Sequence, residues 1–141
     1  MNDFMEVSFN ANSENEAFIR AVAASFILRL NPTIQDVYEV KTIVSEAVTN
    51  AIIHGYEDKP DGIIKVRMQI DERGVHIEIW DDGCGIEDIE QALEPMYTSK
   101  AEQERSGLGF SIMEEFSDKM RVKSKVGEGT RIYVTKYLQG E

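Results

Sequence analysis

At 141 residues, with 42% of them hydrophobic, the chain suits one globular domain with a single core. It has no apolar run long enough to span a bilayer, and its N-terminus lacks the basic-then-apolar order of a signal peptide, so a cytoplasmic protein is expected, not a membrane or secreted one. The lone cysteine, Cys84, excludes an internal disulfide, and a formal net charge of -11 repels phosphate backbones, which argues against direct nucleic-acid binding.

In chain order, Met5, Val7 and Phe9 alternate with polar residues and predict a short strand. Ser13 with Glu16 reads as a capping box that opens a helix to about Leu30, which Asn31-Pro32 breaks. Thr33 with Asp36 is a second such signature. The helix it opens runs to about His54, with Val37, Val40, Val44, Ala47, Val48 and Ala51 forming a buried stripe. The period then falls to two. Ile64, Val66, Met68 and Ile70, the turn at Asp71 to Gly74, and Val75, Ile77 and Ile79 predict a hairpin with one buried face. His76 and Trp80 fall on its polar side, where packing explains them. Residues 86–93 read as a short helix, 94–106 as a polar lid, and about 108–116 as another helix. A second hairpin runs from Met120 through the turn Gly127-Glu128-Gly129 to Leu138. These elements predict one domain over residues 1–141. Its fold class is a two-layer α/β sandwich with a mixed, mostly antiparallel sheet and helices on one face.

Four segments carry chemistry. Glu46 and Asn50 lie one helical turn apart on one face. There a carboxylate can accept a proton and a carboxamide oxygen can hold magnesium, an ion that needs few protein ligands when phosphates supply the rest. The pair also fits the solvated face of an amphipathic helix. Asp81-Asp82-Gly83-Cys84-Gly85 leaves an apolar strand. Asp81 can bond an exocyclic amine, and Gly83 and Gly85 let the chain turn close to a flat base. An ordinary polar turn reads the same way. Ser106-Gly107-Leu108-Gly109 opens a helix whose free N–H groups favour phosphates, or is a plain loop before a helix. Thr130 follows the last glycine turn, and its hydroxyl could reach a base or support Asp81. In the lid, Arg105 is favoured over Lys100 as a cation for phosphate charge. His54 ends its helix near these residues and is not taken as a proton donor.

Together, and in this order, the segments resemble the ATP-binding fold shared by gyrase, Hsp90, histidine kinases and MutL. The resemblance implies Glu46 as general base, Asn50 as magnesium ligand, Asp81 as adenine anchor, and Gly107, Leu108 and Gly109 as phosphate loop. A domain this short, expected to be free-standing, with Ser45-Glu46-Ala47-Val48-Thr49-Asn50-Ala51-Ile52-Ile53-His54-Gly55-Tyr56 and Glu104-Arg105-Ser106-Gly107-Leu108-Gly109-Phe110, is similar to the bacterial anti-sigma factor serine kinases. That likeness implies a homodimer using ATP or ADP and Mg2+. It would bind and inhibit a sigma factor of the sporulation, sigma F-like kind and phosphorylate an anti-anti-sigma protein on serine. The alternative is a nucleotide-gated binding module for a stress-response sigma factor, with incidental turnover.

Overall fold

A computed structural model describes residues 2–93 and 109–140. The chain folds as β1 (Asp3–Asn10), α1 (Glu14–Ile27), α2 (Ile34–Asn50), β2 (Ile63–Ile70), β3 (Gly74–Asp81), α3 (Ile89–Ala92), α4 (Gly109–Phe116), β4 (Lys119–Lys125) and β5 (Gly129–Tyr137). A 3-10 turn, Leu28–Leu30, extends α1, and a π-helical turn, Ala51–Gly55, extends α2. The sheet order is β1-β2-β3-β5-β4, and every pairing is antiparallel. Both expected hairpins form. The long-range pairing of β3 with β5, Asp81 opposite Thr130, joins them into one sheet.

The two-residue period sorts the strands into faces. Ile64, Val66, Met68 and Ile70 of β2, Val75, Ile77 and Ile79 of β3, and Ile132 and Val134 of β5 are buried in one core with Ile43, Val44, Ala47 and Val48 of α2. Each fully buried Val or Ile contributes roughly 1.5–3 kcal/mol, so this layer fixes where α2 lies. The other face is open and its rings carry cations. Lys65 and Arg131 sit 4.8 and 5.2 Å from the Trp80 ring centre, and Arg121 lies 4.8 Å from that of Tyr133. His76 is structural, as expected: Nδ1 meets Thr135 Oγ1 at 3.1 Å and Nε2 meets Asp71 Oδ2 at 3.0 Å.

Two capping signatures of the same spacing behave differently. Thr33 and Asp36 form the reciprocal box at the start of α2. Ser13 makes no side-chain cap. Asn12 Oδ1 takes the Glu14 N–H instead, at 2.9 Å, and the Glu16 carboxylate turns to the Ser45 hydroxyl and Arg20. A partner on α2 thus outcompetes the local cap.

The start of α2 is tied to the end of the chain. Asp36 also accepts the Gln139 N–H at 3.0 Å and the Gly140 N–H at 3.1 Å. Buried Lys136 of β5 donates to Glu39 Oε1 of α2 at 2.5 Å and to the Phe116 carbonyl, at the end of α4, at 2.8 Å.

Candidate functional site

The C-terminal end of α2 meets the C-terminal end of β3. Core packing of Ala47, Val48 and Ala51 leaves Glu46 and Asn50 half-buried beside that stripe. Beyond Asn50 the hydrogen bonding widens to a π-turn, closed by Tyr56 N–H to Ala51 carbonyl at 2.9 Å. Such turns occur often at functional sites. This one swings Gly55 against the sheet, so that a Cβ on it would stand 2.9 Å from Asp81 Oδ1.

Asp81, the last residue of β3, is only 6% exposed. Its Oδ1 accepts the Gly83 N–H at 2.9 Å, and the Thr130 main-chain N–H bonds the same carboxylate. Burial, with the charge of Asp82, outweighs those two bonds and pushes its pKa up to about 6. The carboxylate therefore sits in a dry place with acceptor capacity unused by the described residues, as an amine-binding group requires.

Gly83 and Gly85 serve backbone packing. A Cβ on Gly83 would lie 2.1 Å from the Gly55 carbonyl oxygen, and one on Gly85, whose φ is +78°, would lie 2.2 Å from the Lys125 carbonyl oxygen. The loop between them is thus pressed onto the π-turn at one end and onto the β4–β5 hairpin at the other. Cys84 N–H donates to the Gly55 carbonyl at 2.8 Å, and its thiol lies 2.9 Å from the His54 carbonyl.

Thr130 meets Asp81 through its main chain and not through the hydroxyl that was expected to reach it. Its buried hydroxyl lies 2.8 Å from Ser124 Oγ, which also accepts the Ile86 N–H at 2.7 Å. Gly109 is buried at the first turn of α4. Arg105, Ser106, Gly107 and Leu108, with Lys100 and the expected lid, lie outside the described residues. The structure therefore brings Glu46, Asn50, Asp81, Gly83, Gly85 and Thr130 to neighbouring element ends. Sequence reasoning quoted Gly55 and Tyr56 in the segment that carries the resemblance but gave neither a role of its own.

Among the described residues, no three His, Cys, Asp or Glu side chains gather as a metal cage. The oxygen donors present, Asn50 with Glu46 one turn away, fit a hard cation that takes its other ligands from phosphate and water, and a helix C-terminus favours positive charge. No helix among the described residues is long and apolar enough to cross a membrane.

The fold is that of a two-layer α/β sandwich whose family implies nucleotide binding. Residues 9–136 match the family described as histidine kinase-like ATPase domain. An anti-sigma F factor of Geobacillus kaustophilus is 49% identical over 98% of this chain and 94% of its own length. Proteins of the same name from Clostridium novyi and Priestia megaterium are each 50% identical, over 96% and 98% of this chain and 94% and 95% of theirs. The chain belongs to the histidine kinase-like ATPase family and, within it, to the group of the anti-sigma F factors. Two solved structures share the fold at 18% identity. The RsbU and RsbW domains of a Mycobacterium tuberculosis protein give a TM-score of 0.68, with 96% of this chain and 32% of that one covered. The catalytic domain of histidine kinase ThkA gives 0.56, with 96% and 99% covered.

Proposed function

We propose that this protein binds ATP with magnesium, restrains a sigma F-like sporulation sigma factor, and phosphorylates the matching anti-anti-sigma protein on serine. The observation that carries the reading is the buried, under-bonded Asp81 carboxylate beside the end of the helix bearing Glu46 and Asn50. The names of its relatives support the sigma-factor partner.

Asp81 accepts the exocyclic amine of adenine, which a guanine cannot offer at that position. Asn50 would hold magnesium through its amide oxygen; when bound, the ion draws negative charge from the phosphate oxygens. Glu46 orients the substrate serine and takes its proton as the hydroxyl oxygen forms a bond to the γ-phosphorus. The bond from that phosphorus to the β–γ bridging oxygen breaks, and ADP carries away the electron pair. Arg105 and the main-chain N–H groups of Ser106, Gly107, Leu108 and Gly109 are assigned to the phosphate charge. The working unit is read as a cytoplasmic homodimer of one-domain chains, residues 1–141, without nucleic-acid or membrane contact.

The test is a labelled-ATP assay with magnesium and a candidate anti-anti-sigma protein, comparing wild type with Glu46→Ala. Serine labelling should fall at least about 100-fold in the variant, as for loss of a general base, with ATP and sigma-factor binding nearly intact. Loss of nucleotide binding would remove Glu46 as base. Tight ATP binding without labelling by wild type would favour the nucleotide-gated binding module.

A further inference from the structure

The π-turn after α2 is followed directly by Tyr56, a residue to which the phosphoryl-transfer reading gives no part. Its hydroxyl donates to the Ile63 carbonyl at 2.6 Å, at the first residue of β2, and accepts the Asp82 N–H at 2.7 Å. Its ring packs against Gly62, where a Cβ would come 2.5 to 2.6 Å from three ring carbons. Three pieces of chain meet at this one phenol: the end of the helix that carries Asn50, the start of β2, and the peptide directly after Asp81. We infer that Tyr56 is a positioning residue for base recognition, holding the Asp81–Asp82 peptide so that the Asp81 carboxylate faces the base.

The inference rests on the reading of Asp81 as adenine anchor. Its physical basis is that a carboxylate on a strand's last residue inherits its direction from that residue's backbone. The strand side of Asp81 is fixed by pairing to Ile64 and Thr130. The loop side has no ladder, and Asp82 is exposed. Tyr56 supplies the bond to the first N–H beyond the strand, and the Cys84 N–H to Gly55 bond secures the loop two residues on. Burial, together with the nearby Asp81 and Asp82 carboxylates, holds the phenol above its ordinary pKa, so at neutral pH it keeps the proton it donates to Ile63. Loss of the hydroxyl leaves the ring packing in place and frees the Asp82 N–H to turn towards water. The penalty then falls on the angle of the Asp81 carboxylate and not on the core.

The experiment compares affinities, with magnesium, for ATP and for purine riboside triphosphate, which lacks the 6-amino group, in wild type, Tyr56→Phe and Asp81→Asn. Wild type should prefer ATP. Tyr56→Phe should cut that preference about fivefold, in line with a degraded hydrogen bond, with affinity for the deaminated analogue within about twofold of wild type. Equal loss for both nucleotides, or an unchanged preference, overturns the positioning role. If Asp81→Asn keeps the wild-type preference, the adenine-anchor reading itself falls and the inference with it. Amide exchange in the wild-type protein is an independent check. The Asp82 N–H should be protected beyond the level of an exposed loop amide, and fast exchange would overturn the inference without any variant.

Discussion

Asp36 and Asp81 both expose little surface, 2% and 6%, but Asp81 is packed far more deeply, and their acidities are displaced in opposite directions. Burial alone would raise both. At Asp36 it is outweighed by the N–H groups of Thr33, Gly140 and Gln139 with the Thr33 hydroxyl, and the pKa is lowered. At Asp81, among the described residues, Gly83 and Thr130 alone donate, deep burial and the like charge of Asp82 outweigh them, and the pKa rises to about 6. The first carboxylate is saturated and closes the structure at the start of α2. The second is left short of donors at the mouth of the site. A carboxylate that the fold satisfies is architectural, and one that it starves is ready for a ligand.

The harshest test of this contrast is Asp36→Ala. It removes a helix cap and orphans several amides, and should cost about 3–4 kcal/mol of stability in denaturant unfolding, with nucleotide affinity little changed. Asp81→Asn should do the reverse. Calorimetric ATP affinity should drop by about 1.5–3 kcal/mol if the carboxylate bonds the amine. Stability at pH 7 should hold or rise, because keeping this buried group ionised opposes folding. Its displacement from 3.8 to about 6, at 1.36 kcal/mol per pH unit, is on the order of 3 kcal/mol. If Asp81→Asn destabilises as Asp36→Ala does, the comparison breaks.

The pH dependence is the subtler probe. Folded Asp81 binds its proton more tightly than the unfolded chain does. Its contribution therefore makes the protein less stable as pH rises from about 4 to about 6, with the full penalty above that window. Asp36 works the other way, giving stability that is present above 3.8 and lost as pH falls below it. ATP affinity should weaken as pH drops through about 6, and Asp81→Asn should flatten that profile. A profile unchanged by the substitution would assign the titration to another group.

Much of this was legible in the sequence because local pattern and final fold agree. The period-two runs at Ile64 to Ile70 and Val75 to Ile79 became strands with the expected faces buried. The Thr33–Asp36 box formed where its spacing placed it. The same signature at Ser13 and Glu16 failed because Ser45 and Arg20 claim the Glu16 carboxylate, and Ser45 lies 29 positions from it in the chain. Local spacing carries no information about that competition. The pairing of β3 with β5 was hidden for the same reason. In the site, Asp81 stood out by residue type, whereas Thr130 serves it through a main-chain N–H that any residue other than proline could supply. The π-turn was invisible because Ala51 to His54 reads equally well as α-helix.

Lys136 has a mechanical consequence. Its ammonium is shared between Glu39 on α2 and the last carbonyl of α4, away from water, so sliding one helix along the other would strand a charge. The two helices are thereby pinned as one lever.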